Sequence, residues 1–333
     1  MRRGAAEVGL RIWKPLGLGI AAVVIALSLV NASWIAPDPA GQLVLVARRG
    51  LAQQFPREAE AQGACTAARI APVEEENRYI ENSLASYYKA MRYGAGAIEV
   101  DVQRTRDNQV VLFRDDTLEC RTNGKGRVRD HDLAALKTLD IGYGYTADGG
   151  KTFPLRGRGV GGMPTVEEAL REVRTVRLIF NFKSADPADA DALVAAFGRA
   201  GVEIDKKYSF FGAPAVTARI KALVPGAWSY GKAELEGCLG DYIKTGWTSF
   251  VPESCRNTTV AVPVDRQWAV WGWPNRFLAR MAAANTKVMV LGPHREGEIT
   301  GLEAVDQIDD VPRDFRGYLW IEDFYNVGRA VQR

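Results

Sequence analysis

Three features of this 333-residue sequence predict an α/β chain: a TIM-like (β/α)8 barrel preceded by one N-terminal transmembrane helix. Short apolar runs alternate with helical patterns from residue 43 almost to the C-terminus. Several of those runs are apolar on both faces, as strands of a helix-covered parallel sheet are. An uncharged run of 21 residues, 16–36, follows a basic N-terminus.

The N-terminal run comes first. At 1.5 Å per residue it spans about 30 Å of hydrocarbon. Arg2, Arg3, Arg11 and Lys14 precede it and Asp38 follows, which places the N-terminus in the cytoplasm. Trp34 falls where an interfacial aromatic belongs. A cleaved signal peptide is the alternative, with small residues at Val30-Asn31-Ala32. The apolar run continues past that point and favours an uncleaved anchor. The expected layout is a cytoplasmic basic tail over 1–15, an anchor over 16–36, a linker over 37–42 (PDPAGQ) and a barrel over 43–333. The expected location is the inner (cytoplasmic) membrane, single-pass, with the barrel on the periplasmic side.

Charge and cysteines agree with that layout. The formal charge of +3 resides in the first 15 residues, so the remainder is neutral and carries no footprint for nucleic acid. With 47% hydrophobic and 25% charged residues, disordered and collagen-like classes are excluded. Cys65, Cys120, Cys238 and Cys255 form no CxxC pair, which argues against structural zinc. Export favours disulfides. Of three pairings, Cys65–Cys120 with Cys238–Cys255 is the expected one, since the second pair closes a short loop.

Strands are predicted over 43–47, 97–103, 110–113, 177–183, 208–211, 227–230, 249–252, 287–292 and 317–321. Between them helices have readable ends. Asn82 caps a helix that Gly94 stops, and Thr165 with Glu168 forms a capping box. Pro187 sits at a first helical position, with Gly201 past the end, and 274–285 reads as another helix. The alternation implies right-handed crossovers and a parallel sheet. About eight strands in some 290 residues favour closure into a barrel. Two connections, 49–80 and the glycine-rich 116–164, are too long for turns. Both leave C-terminal strand ends, the active face of a barrel.

Strand periodicity puts Glu99 and Asp101 on one face of the second strand, and Asn181 and Lys183 on one face of the fourth. Two carboxylates in a barrel mouth call for a cation, so an oxygen-ligand site for Ca²⁺ or Mg²⁺ fits them, and Lys183 offers a point charge for phosphate. A buried ion-pair network fits the same spacing equally well. His131 opens a helical segment and reads as a solvated cap. His294 follows a late strand and faces the active end. Trp228, Trp247, Trp268, Trp271, Trp273 and Trp320 read as core, with a groove for a lipid moiety as the sharper alternative.

Six motifs occur in order: Arg49-Gly50, Glu81-Asn82-Ser83, Gly96–Val102, Asp115–Leu118, Thr122–Gly126 and Met163-Pro164-Thr165. Together they resemble the glycerophosphodiester phosphodiesterase family over nearly all of 43–325, and 139–154 and 271–281 are similar to a bacterial branch. The resemblance implies a barrel that binds a divalent cation and cleaves a phosphodiester. It implies that Glu99 and Asp101 hold metal, with Asn181 where the family usually has Glu, and that Arg49 and Lys183 grip the phosphate. The chain departs from the pattern at Arg48 and Arg114, where the family has its acid and base histidines. Arginine, with a pKa above about 12, does not give up its proton usefully. The implied function is a membrane-anchored protein acting on or binding phosphodiesters of glycerol or phospholipid head groups, its chemistry weakened. The alternative is a non-catalytic protein holding a phosphate-bearing head group or a protein partner at the membrane.

Overall fold

The computed structural model describes residues 18–56 and 64–331. Eight parallel strands form a nearly closed barrel: β1 (Leu43–Arg48), β2 (Ala97–Arg104), β4 (Arg177–Phe182), β5 (Tyr208–Phe211), β6 (Trp228–Tyr230), β7 (Thr259–Pro263), β8 (Lys287–Leu291) and β9 (Gly317–Ile321). Their spatial order is β6-β5-β4-β2-β1-β9-β8-β7. No ladder joins β6 to β7. Trp228 Nε1 instead donates to Thr259 Oγ1 at 2.9 Å and spans the seam.

Side chains alternate between two cores, as the pleat requires. Outward residues such as Ile98, Val100, Phe180 and Val290 pack under the helices. Inward ones such as Val46, Ala97, Ile179, Met289 and Trp320 fill the barrel. Beyond the apolar inward layers, polar residues cluster at the C-terminal strand ends, while Thr259 and Lys287 meet Trp228 at the opposite end. The expected capping box forms at Thr165 and Glu168, and Gly201 closes the Ala188–Ala200 helix in the left-handed conformation. Both expected disulfides form, Cys65–Cys120 and Cys238–Cys255.

Three expectations need correction. The run predicted at 110–113 forms β3 (Val110–Leu112), which pairs antiparallel with β2 and stays off the ring. Residues 249–252 form no strand: Ser249 has φ 71° and the chain turns toward the 3-10 turn Glu253–Cys255 and its disulfide. The strand of that region is β7, with Val260 and Val262 outward and Ala261 inward. The cap of the Leu84–Arg92 helix is Ser83, which accepts from the Ser86 amide, and not Asn82.

The N-terminal run is seen only in part. Residues 1–17, including the basic tail, lie outside the described residues. The helix seen over 18–30 ends well before residue 36. No helix among the described residues is long and apolar enough to cross a membrane. The break has a local cause: the barrel surface takes up the polar groups at the helix end. Asn31 Nδ2 donates to Leu27 O and to Trp247 O, both at 2.9 Å, and Ser33–Ile35 forms a 3-10 turn against the Asn275–Ala283 helix.

Candidate functional site

The C-terminal strand ends carry a cluster of buried charge. β1 ends at Arg48, and the next residue, Arg49, has φ 62°, followed by Gly50 at 76°. A non-glycine residue in that region is held there by its surroundings. Arg49 N donates to Glu99 O and Asn82 N donates to Arg49 O. A side chain on Gly50 would come within 2.5 Å of Ser86 Oγ, so the chain doubles back tightly over the Leu84–Arg92 helix.

Two carboxylates that spacing did not single out organise the arginines. Glu322 follows β9 and continues the inward series Tyr318, Trp320. It accepts from Arg48 Nη1 and Arg49 Nη2, each at 2.5 Å. Glu81 pairs with Arg49 Nε at 3.2 Å and with Arg121 Nη1 at 2.9 Å. Arg121 also reaches Asp115 at 2.9 Å and donates to Thr66 Oγ1. Arg49 is 1% exposed. The expected phosphate-gripping Arg49 is therefore engaged by two carboxylates inside the protein.

Glu99, Asp101 and Asn181 come together, as strand periodicity predicts. Asn181 Nδ2 donates to Glu99 Oε1 at 2.6 Å and to Asp101 Oδ1 at 2.9 Å. Asn82, released from capping, donates to Asp101 Oδ2 at 3.0 Å, and its Oδ1 accepts from the Asp101 amide and the Tyr87 hydroxyl. Lys183 Nζ lies 3.5 Å from Asp101, and Arg48 Nε 3.6 Å from Glu99 Oε2.

This geometry does not fit the expected Ca²⁺ or Mg²⁺ site. A hard cation needs several free oxygens. Here Asn181 turns a donor toward both carboxylates, Arg48 lies between Glu99 and Glu322, and both Asp101 oxygens are engaged. Among the described residues no three His, Cys, Asp or Glu side chains group as metal ligands.

Five cations (Arg48, Arg49, Arg114, Arg121, Lys183) face five carboxylates (Glu81, Glu99, Asp101, Asp115, Glu322) across this region. Burial opposes every buried charge, and the partners decide the outcome. Burial and the neighbouring Asp101 push Glu99 up to about 7. Burial is overcome at Asp101 by Lys183, Arg49 and the Asn82 amide, and at Glu81 by Arg121, Arg49 and Arg114, so both stay below the usual carboxylate range. Arg48 and Arg49 are raised: burial works against their charge, but Glu322 and Glu99, and Glu81 and Glu322, hold them protonated.

A cavity of about 570 Å³ opens beside this network, lined by Lys183, Arg114, Asp115, Thr66 and the Cys65–Cys120 disulfide. Arg114 donates to Thr66 Oγ1 at 2.8 Å and lies over the Phe55 ring. The two histidines lie elsewhere. His131 bonds Lys125 O, and His294 lines a separate cavity beyond β7 and β8. Arg121 was not legible, because it lies in a long loop without periodicity.

A negative charge near this cavity meets a balance that one proton tips. Glu99 works against folding as the pH rises from the ordinary carboxylate value of 4.5 to about 7, because the folded state binds its proton more tightly. The same proton leaves the cluster one charge positive. An anion of one fixed negative charge placed there should lose affinity as pH rises through about 7, by on the order of 1 kcal/mol. Calorimetric titration with glycerophosphocholine at pH 6 and pH 8 checks this, with Glu99→Gln flattening the difference. Equal affinities in the natural chain would remove Glu99 from the account.

Comparison with known proteins places these residues in a family frame. The profile of the "Glycerophosphoryl diester phosphodiesterase family" matches residues 49–219. A glycerophosphodiester phosphodiesterase of Caldanaerobacter subterraneus is 45% identical over 65 residues, 20% of this chain and 27% of that protein. One of Bacillus subtilis is 37% identical over 93 residues, 27% of this chain and 30% of that protein. The alignments thus span under a third of these relatives. Among solved structures, a phosphodiesterase domain from Mycobacterium tuberculosis superposes with TM-score 0.59 at 16% identity, covering 87% of this chain and 98% of that one. A phosphodiesterase from Oleispira antarctica, solved with its product sn-glycerol-3-phosphate, gives 0.57 at 16% identity, covering 91% and 100%. At such identities the structures speak for the fold.

Proposed function

The chain belongs to the glycerophosphoryl diester phosphodiesterase family, and on that premise we propose that it binds glycerophosphodiesters or phospholipid head groups at a membrane and hydrolyses them slowly at most. Lys183 and Arg114 face the 570 Å³ cavity and supply the positive charge for a phosphate. The product bound by the Oleispira antarctica relative is the kind of glycerol phosphate such a cavity suits.

The observation that carries the reading is Arg48, whose guanidinium lies 2.5 Å from Glu322 and 3.6 Å from Glu99. By resemblance, Arg48 and Arg114 stand where the family has its proton-transferring histidines. Each such group contributes about 10²–10⁴ to rate. Family members commonly use a divalent cation, but here Arg48 supplies positive charge beside Glu99 and Glu322. We place the barrel outside the inner membrane, tethered by the 16–36 run. Two disulfides suit that oxidising side. The engagement of nearly every carboxylate oxygen also favours a purely binding role on the same surface.

The test is turnover of glycerophosphocholine by the full chain in detergent, with and without Ca²⁺ or Mg²⁺. Expected are saturable binding, slow or absent hydrolysis, and a melting temperature indifferent to either cation. Brisk turnover that Lys183→Ala abolishes would overturn the reading, as would strong thermal stabilisation by Ca²⁺ or Mg²⁺.

A further inference from the structure

We propose that the aromatic face around Asn31 is a bilayer-docking surface, which seats the barrel against lipid in one orientation. The inference rests on the tether reading above and adds the surface that contacts the membrane.

The helix over 18–30 is apolar all round and exposed: Leu18 72%, Ile20 58%, Val23 58%, Ile25 58%. Its foot is fixed to the barrel by Arg280. That guanidinium donates to Val30 O at 3.3 Å and Asn31 Oδ1 at 3.0 Å on the helix side. On the barrel side it donates to the Tyr242 hydroxyl at 2.7 Å, Gly246 O at 3.1 Å and Ser249 Oγ at 2.7 Å. A cation at a helix C-terminus also meets the negative end of its dipole. Ser33 Oγ accepts the Asn275 amide at 2.8 Å. The helix is therefore held before the 37–42 linker begins, and that linker is not its pivot.

Exposed rings surround this foot. Trp34 is 80% exposed, Trp268 86%, Phe250 58%, Trp247 43% and Trp271 42%. Trp247 O accepts from Asn31, and Asn31, Trp268 and Trp271 line one cavity of about 860 Å³. Trp271 Nε1 donates to Ile243 O and leaves its ring surface open. Tryptophan is a residue that soluble surfaces seldom leave so bare, and its amphipathic ring suits the headgroup level of a bilayer. The occupant follows from continuity. A helix with apolar residues on every side leaves from the centre of the patch, and whatever solvates that helix also meets the rings.

The experiment uses the full chain reconstituted into phosphatidylcholine–phosphatidylglycerol vesicles with brominated acyl chains. Alkaline washing reports the tether, and bromine quenching of tryptophan fluorescence reports docking. Among the described residues the Trp268 side chain has no hydrogen-bond partner and is 86% exposed, so Trp268→Phe leaves the fold alone. The expected result is a chain that resists washing and a quenched amplitude that falls in Trp268→Phe. Arg280→Ala should lower the quenching of Trp268 without releasing the chain. A chain that resists washing but shows the same quenched amplitude with and without Trp268 overturns docking and leaves the tether standing. A chain that washes off overturns both. Sedimentation at twice the monomer mass in detergent, reversed by Trp268→Phe, would assign the face to a second copy and overturn docking.

Discussion

Glu322→Gln should lower the melting temperature of the protein by roughly 5–10 °C. Glu322 is 2% exposed and is the shared counterion of Arg48 and Arg49. Removing one partner of a buried ion pair costs about 3–5 kcal/mol, because the orphaned charge stays in a low-dielectric interior. A domain of this size loses roughly 1.5–2 °C per kcal/mol. The amide preserves the shape of the side chain, so the loss measures charge and not a cavity. Arg49 has a second partner in Glu81, whereas among the described residues the other carboxylate beside Arg48 is the more distant Glu99. Arg48→Met placed on the Glu322→Gln background should therefore recover part of the stability. Scanning calorimetry of the three chains decides the matter. A single variant that melts within about 2 °C of the natural chain would mean the guanidiniums find water or other partners at little cost.

The double replacement Arg48→His with Arg114→His should create or raise hydrolysis of glycerophosphocholine by about 10²–10⁴ for each proton transfer restored. An imidazole titrates near neutral pH and can both take and give a proton, whereas a guanidinium stays charged throughout. The change also withdraws two permanent cations from beside Glu99, Glu322 and Thr66. Carboxylate oxygens now committed to Arg48 would then be free. Added Ca²⁺ or Mg²⁺ should stabilise the double variant, though it leaves the natural chain unmoved. The measurement is product release against time for the natural chain, each single variant and the pair. Single variants that each match the pair would show that the two positions do not act together. An inert pair that still folds and binds phosphodiester would show that these two positions do not limit hydrolysis.

Periodicity carried the sequence a long way toward this structure. The alternation in LVLVA, AIEVDVQ and RLIFNFK gave both the strands and their inward residues, so Glu99, Asp101, Asn181 and Lys183 were visible as one facing set. Glu322 was legible by the same rule, since it continues the inward parity of Tyr318 and Trp320, but it lies one residue past the strand. Asn82 misled because an asparagine before a helix is a good cap. Ser83, one residue later, takes that role and frees the amide for Asp101. Strand 249–252 was misread, since a short run with Phe and Val has no periodicity of its own. The Cys238–Cys255 tie and the left-handed Ser249 hold that stretch away from the sheet. Arg121 and Arg280 became meaningful only through partners distant in sequence, which spacing does not encode.

The Cys65–Cys120 bond bears on where such a pocket can be assembled. Thr66, next to one sulfur, accepts from both Arg114 and Arg121, and the paired sulfurs themselves wall the cavity beside Lys183. The rim is therefore clasped by a covalent stitch that reductants of the cytosol would keep undone. A ribosome delivers this polypeptide with its mouth unlaced, and only oxidising conditions finish the lip. Oxidation is in that sense a step in building the pocket, as much a part of its assembly as the folding of the strands.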